Sequence, residues 1–340
     1  MTSRSPRLSL QIRPSARPRP HPCTASRLPL RRQRRSPTRR WREVNFQWKN
    51  PDFLLKNPDF LFRNPDFLLR NVEFVIKHTA LATQLKTDGY VLLPGCLSEG
   101  RLKLLTELMD ESAHLAGAGE EYLLESLFNC TPEWLPLLDI PRVLRVAEIA
   151  LMEGIGHRGG DAPAVSDCHL IKMDGAKGLN PNRRLDRGLY CDYVPVVVPQ
   201  ELLEAGTVPP MPLKMLSAHF VLEDCDLGSG ALGVVPGSHA SGRAPQAADT
   251  AWGGAQAQAV AAKGGDVMLV RCDTWRIDTP REVGAPAGYT LRVDYGERNI
   301  AQRFLAGPGA LEFEYDPSVV AACNETQKRL IGKRAHGAYD

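Results

Sequence analysis

Residues 228–239, Gly228-Ser229-Gly230-Ala231-Leu232-Gly233-Val234-Val235-Pro236-Gly237-Ser238-His239, constrain the chain more than any other stretch. The glycines supply backbone positions free of a Cβ, Ala231 to Val235 is a short apolar strand, and Pro236-Gly237 places Pro and Gly at the centre of a type II turn. A loop, a strand and a tight turn follow in that order. Around them, Val165–Met173, Gly188–Val198, Leu213–Leu222, Asp266–Val270 and Tyr289–Tyr295 are β-rich runs divided by Gly, Pro and Asp turns, the pattern of a sandwich or barrel. Helices come earlier: a short one over Thr79–Thr87, one capped by Ser98 with Leu102, Leu105, Leu108 and Met109 on one face, and one opened by Pro141. A short strand, Tyr90–Leu93, lies between the first two, and Glu325–Gly332 reads as a last amphipathic helix. The class is α+β.

The first 77 residues have a different character. Residues 1–42 are rich in Arg, Pro and Ser, a composition that buries too little apolar surface to offset chain entropy and predicts disorder. Residues 1–45 hold thirteen Arg and one acid, so about +12 sits there and, against a total of +3, roughly −9 lies on the rest. The basic tail therefore says nothing about a basic face on the folded part, and nucleic acid is expected at most as a non-specific contact of the tail. An organelle transit segment and an untargeted basic tail are both consistent with residues 1–42. Residues 43–77 carry a seven-residue repeat, Asn50-Pro51-Asp52-Phe53-Leu54-Leu55-Lys56, repeated from Asn57 and Asn64 and more loosely from Asn71. Pro51, Pro58 and Pro65 argue against a coiled coil, and each unit reads as a turn followed by an extended piece. Low-complexity sequence is the favoured reading, with a partner-binding strip of Phe53, Phe60 and Phe67 as the alternative. Eight cysteines without Cys-x-x-Cys spacing predict reduced thiols and an intracellular protein, cytoplasmic unless the tail is a transit segment. No run of eighteen apolar residues exists to span a membrane.

Three stretches together carry a resemblance: 228–239, Asp88-Gly89-Tyr90-Val91-Leu92-Leu93-Pro94-Gly95, and Gly265-Asp266-Val267-Met268-Leu269-Val270. From about Thr79 to its end the chain resembles the phytanoyl-CoA dioxygenase family of iron(II)/2-oxoglutarate oxygenases. The resemblance implies a double-stranded β-helix, a cupin-like jelly roll with packing helices, over residues 78–305, followed by a C-terminal extension over 306–340. It also implies iron(II) and 2-oxoglutarate, with iron held by a His-x-Asp pair and a later His that leave one face open. The first slot falls on Tyr190-Cys191-Asp192 and the late slot on Trp275-Arg276. Sixteen residues on, Arg292 takes the place of the cosubstrate's carboxylate clamp.

Both histidines are thus replaced, while the carboxylate and the clamp remain. A phenol is a poor ferrous ligand, and a guanidinium has no lone pair to give. Arg276 is expected instead to pair with Asp192. An alternative ligand set is His169, Asp192 and His219, because the fold would bring those strands towards one cavity. His239 reads as a turn residue, Trp275 and Cys191 as packing, and Asp266 as a cap of its own turn. Two functions follow: a degenerate homologue that binds a small carboxylate or nothing, and an active dioxygenase hydroxylating a small organic or lipid-like substrate. Val198–Pro212 and Gly242–Lys263 are the expected lids of the barrel mouth.

Overall fold

The computed structural model describes residues 65–115, 122–124, 127–151, 163–173, 188–196, 198–226, 229–279, 288–297 and 315–332. The chain divides into Met1–Pro65 and Asp66–Asp340, and the described structure lies in the second unit apart from Pro65. The basic tail and the repeats before Pro65 fall outside the described residues.

Helix α1, Pro65–Asp88, corrects the expected short helix and the 77/78 boundary. It runs through the third and fourth repeat units. Proline at the first helical position forfeits no hydrogen bond, and from Asp66 to Asp88 no Gly or Pro interrupts. Its buried residues His78, Ala82 and Leu85 lie three to four apart, so one stripe faces the core. Gly89 ends it at φ 86°, where a Cβ would strike the Thr274 hydroxyl at 2.3 Å. Strand β1, Tyr90–Leu93, leads to α2, Glu99–Leu115. Then come β2, Tyr122–Leu124; α3, Leu127–Cys130; a 3-10 turn, Pro132–Leu137; and α4, Pro141–Leu151.

The strands that follow are β3, Ala164–Met173; β4, Met215–Phe220; β5, Leu232–Val234; β6, Ala251–Trp252; β7, Ala255–Gln256; β8, Gln258–Ala259; β9, Val267–Arg271; β10, Arg276–Asp278; and β11, Gly288–Gly296. A short helix α5, Gln200–Glu204, precedes β4. An antiparallel six-stranded sheet runs β1-β9-β4-β11-β3-β2, a three-stranded sheet runs β10-β5-β8, and β6 pairs with β7. Among its described residues Gly188–Val198, expected as a strand, forms one bridge, Tyr190 to Arg276. At Gly237 the backbone takes φ 72° and ψ −2°, the third-residue geometry of the type II turn read from Pro236-Gly237.

Alternation sorts the large sheet into two faces. Leu216, Ala218, Phe220, Val267, Leu269, Leu291, Val293 and Tyr295 pack with the helices in the main core. Met268 and Val270 face the other way and meet Val234 of the small sheet. On β3, β4 and β11 that same face carries His169, Ser217, His219, Arg292 and Asp294, which lead to the site below.

The C-terminal helices α6, Pro317–Ala322, and α7, Glu325–Leu330, belong to the same core rather than to an appendage. Val319, Leu330 and Ile331 are buried in it, and Gln327 Nε2 donates to the Leu135 carbonyl at 3.0 Å and to Asp139 at 3.1 Å. The expected lid 198–212 is anchored at its two ends and exposed over most of the residues between them. Val198, Met211 and Leu213 are buried, and a Cβ on Gly242 would meet Val198 and Val208 at 2.7 Å. The other expected lid, Gly242–Lys263, contains β6, β7 and β8.

Candidate functional site

Tyr190 and Arg276 exchange both backbone hydrogen bonds, Tyr190 N–H to Arg276 O at 2.9 Å and Arg276 N–H to Tyr190 O at 2.8 Å. The two positions therefore stand directly opposite each other at the start of β10. Asp192, two residues on, is tied down by its N–H to the Cys272 carbonyl at 2.9 Å. Its Oδ2 meets two guanidiniums: Nη2 of Arg276 from the small sheet, and Nη1 of Arg292 from β11 at 3.0 Å. One carboxylate thus joins the two sheets.

Arg292 also donates to Asp294 Oδ2 at 2.8 Å, from two residues along the same strand face. The Tyr190 hydroxyl donates to Asp278 Oδ2 at 2.7 Å, and the Arg276 guanidinium carbon lies 5.0 Å from the Tyr190 ring centroid. The cluster is Tyr190, Asp192, Arg276, Asp278, Arg292 and Asp294. Arg276 has no exposed side-chain surface, and Asp192 and Arg292 keep 11% each.

In register, Arg292 stands opposite His169 on β3 and His219 on β4. Paired residues on neighbouring strands face the same way, so the two histidines flank Arg292 on the inner face. His219 lies within electrostatic reach of Arg276, Arg292, Asp192 and His169, and its buried Nε2 has no hydrogen-bond partner. All six sequence-predicted positions thus gather around one point. The alternative set His169, Asp192 and His219 is interrupted by Arg292, which occupies the register position between the histidines. Among the described residues no group of three or more His, Cys, Asp or Glu is arranged to hold a metal ion.

Burial and charge together set the protonation states. Burial alone would push Asp192 up, but Arg276 and then Arg292 outweigh it and hold the carboxyl well below its ordinary range. Burial pushes the Tyr190 phenol well above its ordinary value and raises Asp278. Burial and then the two guanidiniums keep His219 neutral, far below its ordinary value, and burial with Arg271 lowers His239 to about 4. Neither lowered histidine binds a proton in the fold at pH 6, whereas an unfolded one does below about 6.5. Stability is therefore full above that pH and falls as pH drops, by about 1.4 kcal/mol per unit per histidine once well below it. In urea melts from pH 7.5 to 5 the wild-type midpoint should fall more steeply than that of His219→Gln. Parallel curves would mean that His219 is charged or exposed in the fold.

Other positions read from the sequence have structural partners. Asp266 caps its turn, accepting from Gly95 N–H at 2.8 Å and Lys263 N–H at 2.9 Å. Trp275 is fully buried, and His239 sits in the 3-10 turn Ser238–Ser241. Sequence reasoning missed Asp278 and Asp294. The available signal was Arg-x-Asp, Arg276-Ile277-Asp278 and Arg292-Val293-Asp294, since residues two apart on a strand share a face.

An antiparallel two-sheet fold with helices on its outer face and a buried carboxylate–arginine cluster on its inner one defines the class. Residues 200–275 match the model of the family "Phytanoyl-CoA dioxygenase (PhyH)", and over that stretch the chain is similar to that family. That match stops one residue before Arg276 and does not reach Tyr190, Asp192 or Arg292. No curated protein matches. Similar solved structures include the non-heme alpha ketoglutarate dependent carbocyclase SnoK from nogalamycin biosynthesis, at 19% identity and TM-score 0.47, covering 64% of this chain and 83% of that one. Another is HygX from Streptomyces hygroscopicus with nickel and 2-oxoglutarate bound, at 14% identity and TM-score 0.48, covering 64% and 86%. A third is the epimerase SnoN in complex with Fe3+, alpha ketoglutarate and nogalamycin RO, at 15% identity and TM-score 0.43, covering 65% and 84%.

Proposed function

We propose that this is a phytanoyl-CoA dioxygenase-like double-stranded β-helix protein that has given up the family's iron, a pseudoenzyme rather than an oxygenase. The observation that carries the reading is the ion pair of Arg276 with Asp192. Asp192 is the one ligand type of the iron triad left among positions 190, 192 and 276, and two guanidiniums already share it. Arg276 offers no lone pair and would repel a dication, and the Tyr190 phenol is held protonated by burial. These residues do not fit ferrous iron.

Nor is Arg292 free to clamp a dicarboxylate, since Asp192 and Asp294 already neutralise it. This weakens the expectation of a small-carboxylate ligand and favours a structural role for the site. Among the described residues Cys96, Cys191, Cys225, Cys272 and Cys323 are free thiols, which supports an intracellular compartment. Among the described residues no helix is long and apolar enough to cross a membrane.

The unpartnered Nε2 of His219 favours a second reading, an active 2-oxoglutarate-dependent dioxygenase using His169, Asp192 and His219. Turnover separates the two. With iron(II), ascorbate and 2-oxoglutarate supplied, the pseudoenzyme forms no succinate above the protein-free blank. Succinate formation that disappears in His219→Ala would establish the second reading.

A further inference from the structure

We propose that Tyr190, Asp192 and Asp278 form a cage for a planar cation, and that the chain's own Arg276 is its tethered occupant. The inference rests on the reading that this site holds no iron, and it assigns the site a ligand chemistry in iron's place. The Arg276 guanidinium is fully buried, with the Tyr190 ring on one side, 5.0 Å from ring centroid to guanidinium carbon. Asp192 Oδ2 meets its Nη2. Asp278 accepts from the Tyr190 hydroxyl at 2.7 Å, which fixes the ring and sets a second carboxylate within electrostatic reach of Arg276. The paired backbone bonds between 190 and 276, at 2.9 and 2.8 Å, leave ring and guanidinium little freedom to part.

An aromatic face combined with carboxylates selects a particular kind of cation. A guanidinium is flat, delocalised and weakly hydrated, so it stacks on a phenol ring and pairs with carboxylates at small desolvation cost. An ammonium is compact and strongly hydrated, and a ferrous ion needs donors with lone pairs. Tyr190 thus changes from a failed metal ligand into the cage wall, and Asp192 from a relic into its anionic end. With the tether cut, the cage should accept a free guanidinium.

The test is chemical rescue. Arg276→Ala should lower the Tm by roughly 10 °C, because it leaves Asp192 buried with half its countercharge. Millimolar methylguanidinium should then restore most of that loss in a saturable way, whereas ammonium, sodium or iron(II) at equal concentration should not. Wild type and Arg276→Ala/Tyr190→Leu should show no such gain. If Arg276→Ala does not fold, Arg276→Met/Asp192→Asn carries the test, because removing both charges should give a protein more stable than Arg276→Met alone. No rescue in a folded Arg276→Ala, equal rescue by ammonium, or additive losses in the pair would overturn the cage. The two rescue outcomes leave the iron-free reading standing, which falls separately if the wild-type chain carries stoichiometric iron.

Discussion

Tyr190→His/Arg276→His, made together, should bind iron(II) at one ion per chain. The two positions face each other across a backbone bridge, and Asp192 sits two residues from one and in contact with the other. Two imidazoles and a carboxylate would then converge on the point that the guanidinium now fills, with adjacent positions open to other ligands. The imidazoles would also remove the cation that opposes a metal there. Arg292 remains against Asp192 and would have to yield one carboxylate oxygen, so affinity should rise further in Arg292→Gln made in the same background. Metal analysis after desalting reads the result directly. A folded double variant that holds no iron would mean that 190, 192 and 276 do not converge as described.

The second large effect belongs to Asp192. Asp192→Asn keeps the shape and the backbone bond to Cys272 but removes the charge that two buried guanidiniums share. Leaving a buried charge without its partner costs about 3–5 kcal/mol, which for a domain of this size is a Tm lower by roughly 10 °C. The loss has a pH signature. Asp192 is depressed in the fold, so its contribution is present above the unfolded carboxylate range, near 4, and vanishes as pH falls through and below it. Wild type and variant should differ most at neutral pH and converge in acid. A constant gap, or none at pH 7, would mean that the carboxylate is not what joins the sheets.

Much of this arrangement is legible in the amino-acid sequence, because it depends on periodicity and turn chemistry. The Pro236-Gly237 turn, the strands around 170, 218, 269 and 292, and the Pro141 helix all follow from local signals that tertiary packing leaves in place. Two misreadings have separate physical origins. Gly188–Val198 has the composition of a strand, yet among its described residues Tyr190 alone pairs, because residues 192 and 193 both turn their N–H groups to the one Cys272 carbonyl. Pro65 looks like a breaker but opens α1, because a proline's effect depends on whether it stands first or inside.

The family resemblance assigns the site positions residue by residue, but it does not reveal which charges pair. Arg292 reads as a free clamp because its partners are non-local on one side, at Asp192, and hidden by alternation on the other, at Asp294. Arg-x-Asp occurs again at Arg271-Cys272-Asp273, where Arg271 donates to both carboxylate oxygens at 2.8 and 2.7 Å. Such a pair is invisible to a reading that treats each charged residue alone.

On the proposed reading, Arg276 paired with Asp192 stands where a metal would otherwise sit. The measurement that tests it most directly is the iron content of wild-type protein, incubated anaerobically with excess iron(II) and then freed of loosely held metal by desalting. The expected result is no more iron than a protein with Asp192→Asn retains, since the guanidinium already holds that carboxylate. One iron per wild-type chain, lost in His219→Ala, would contradict it.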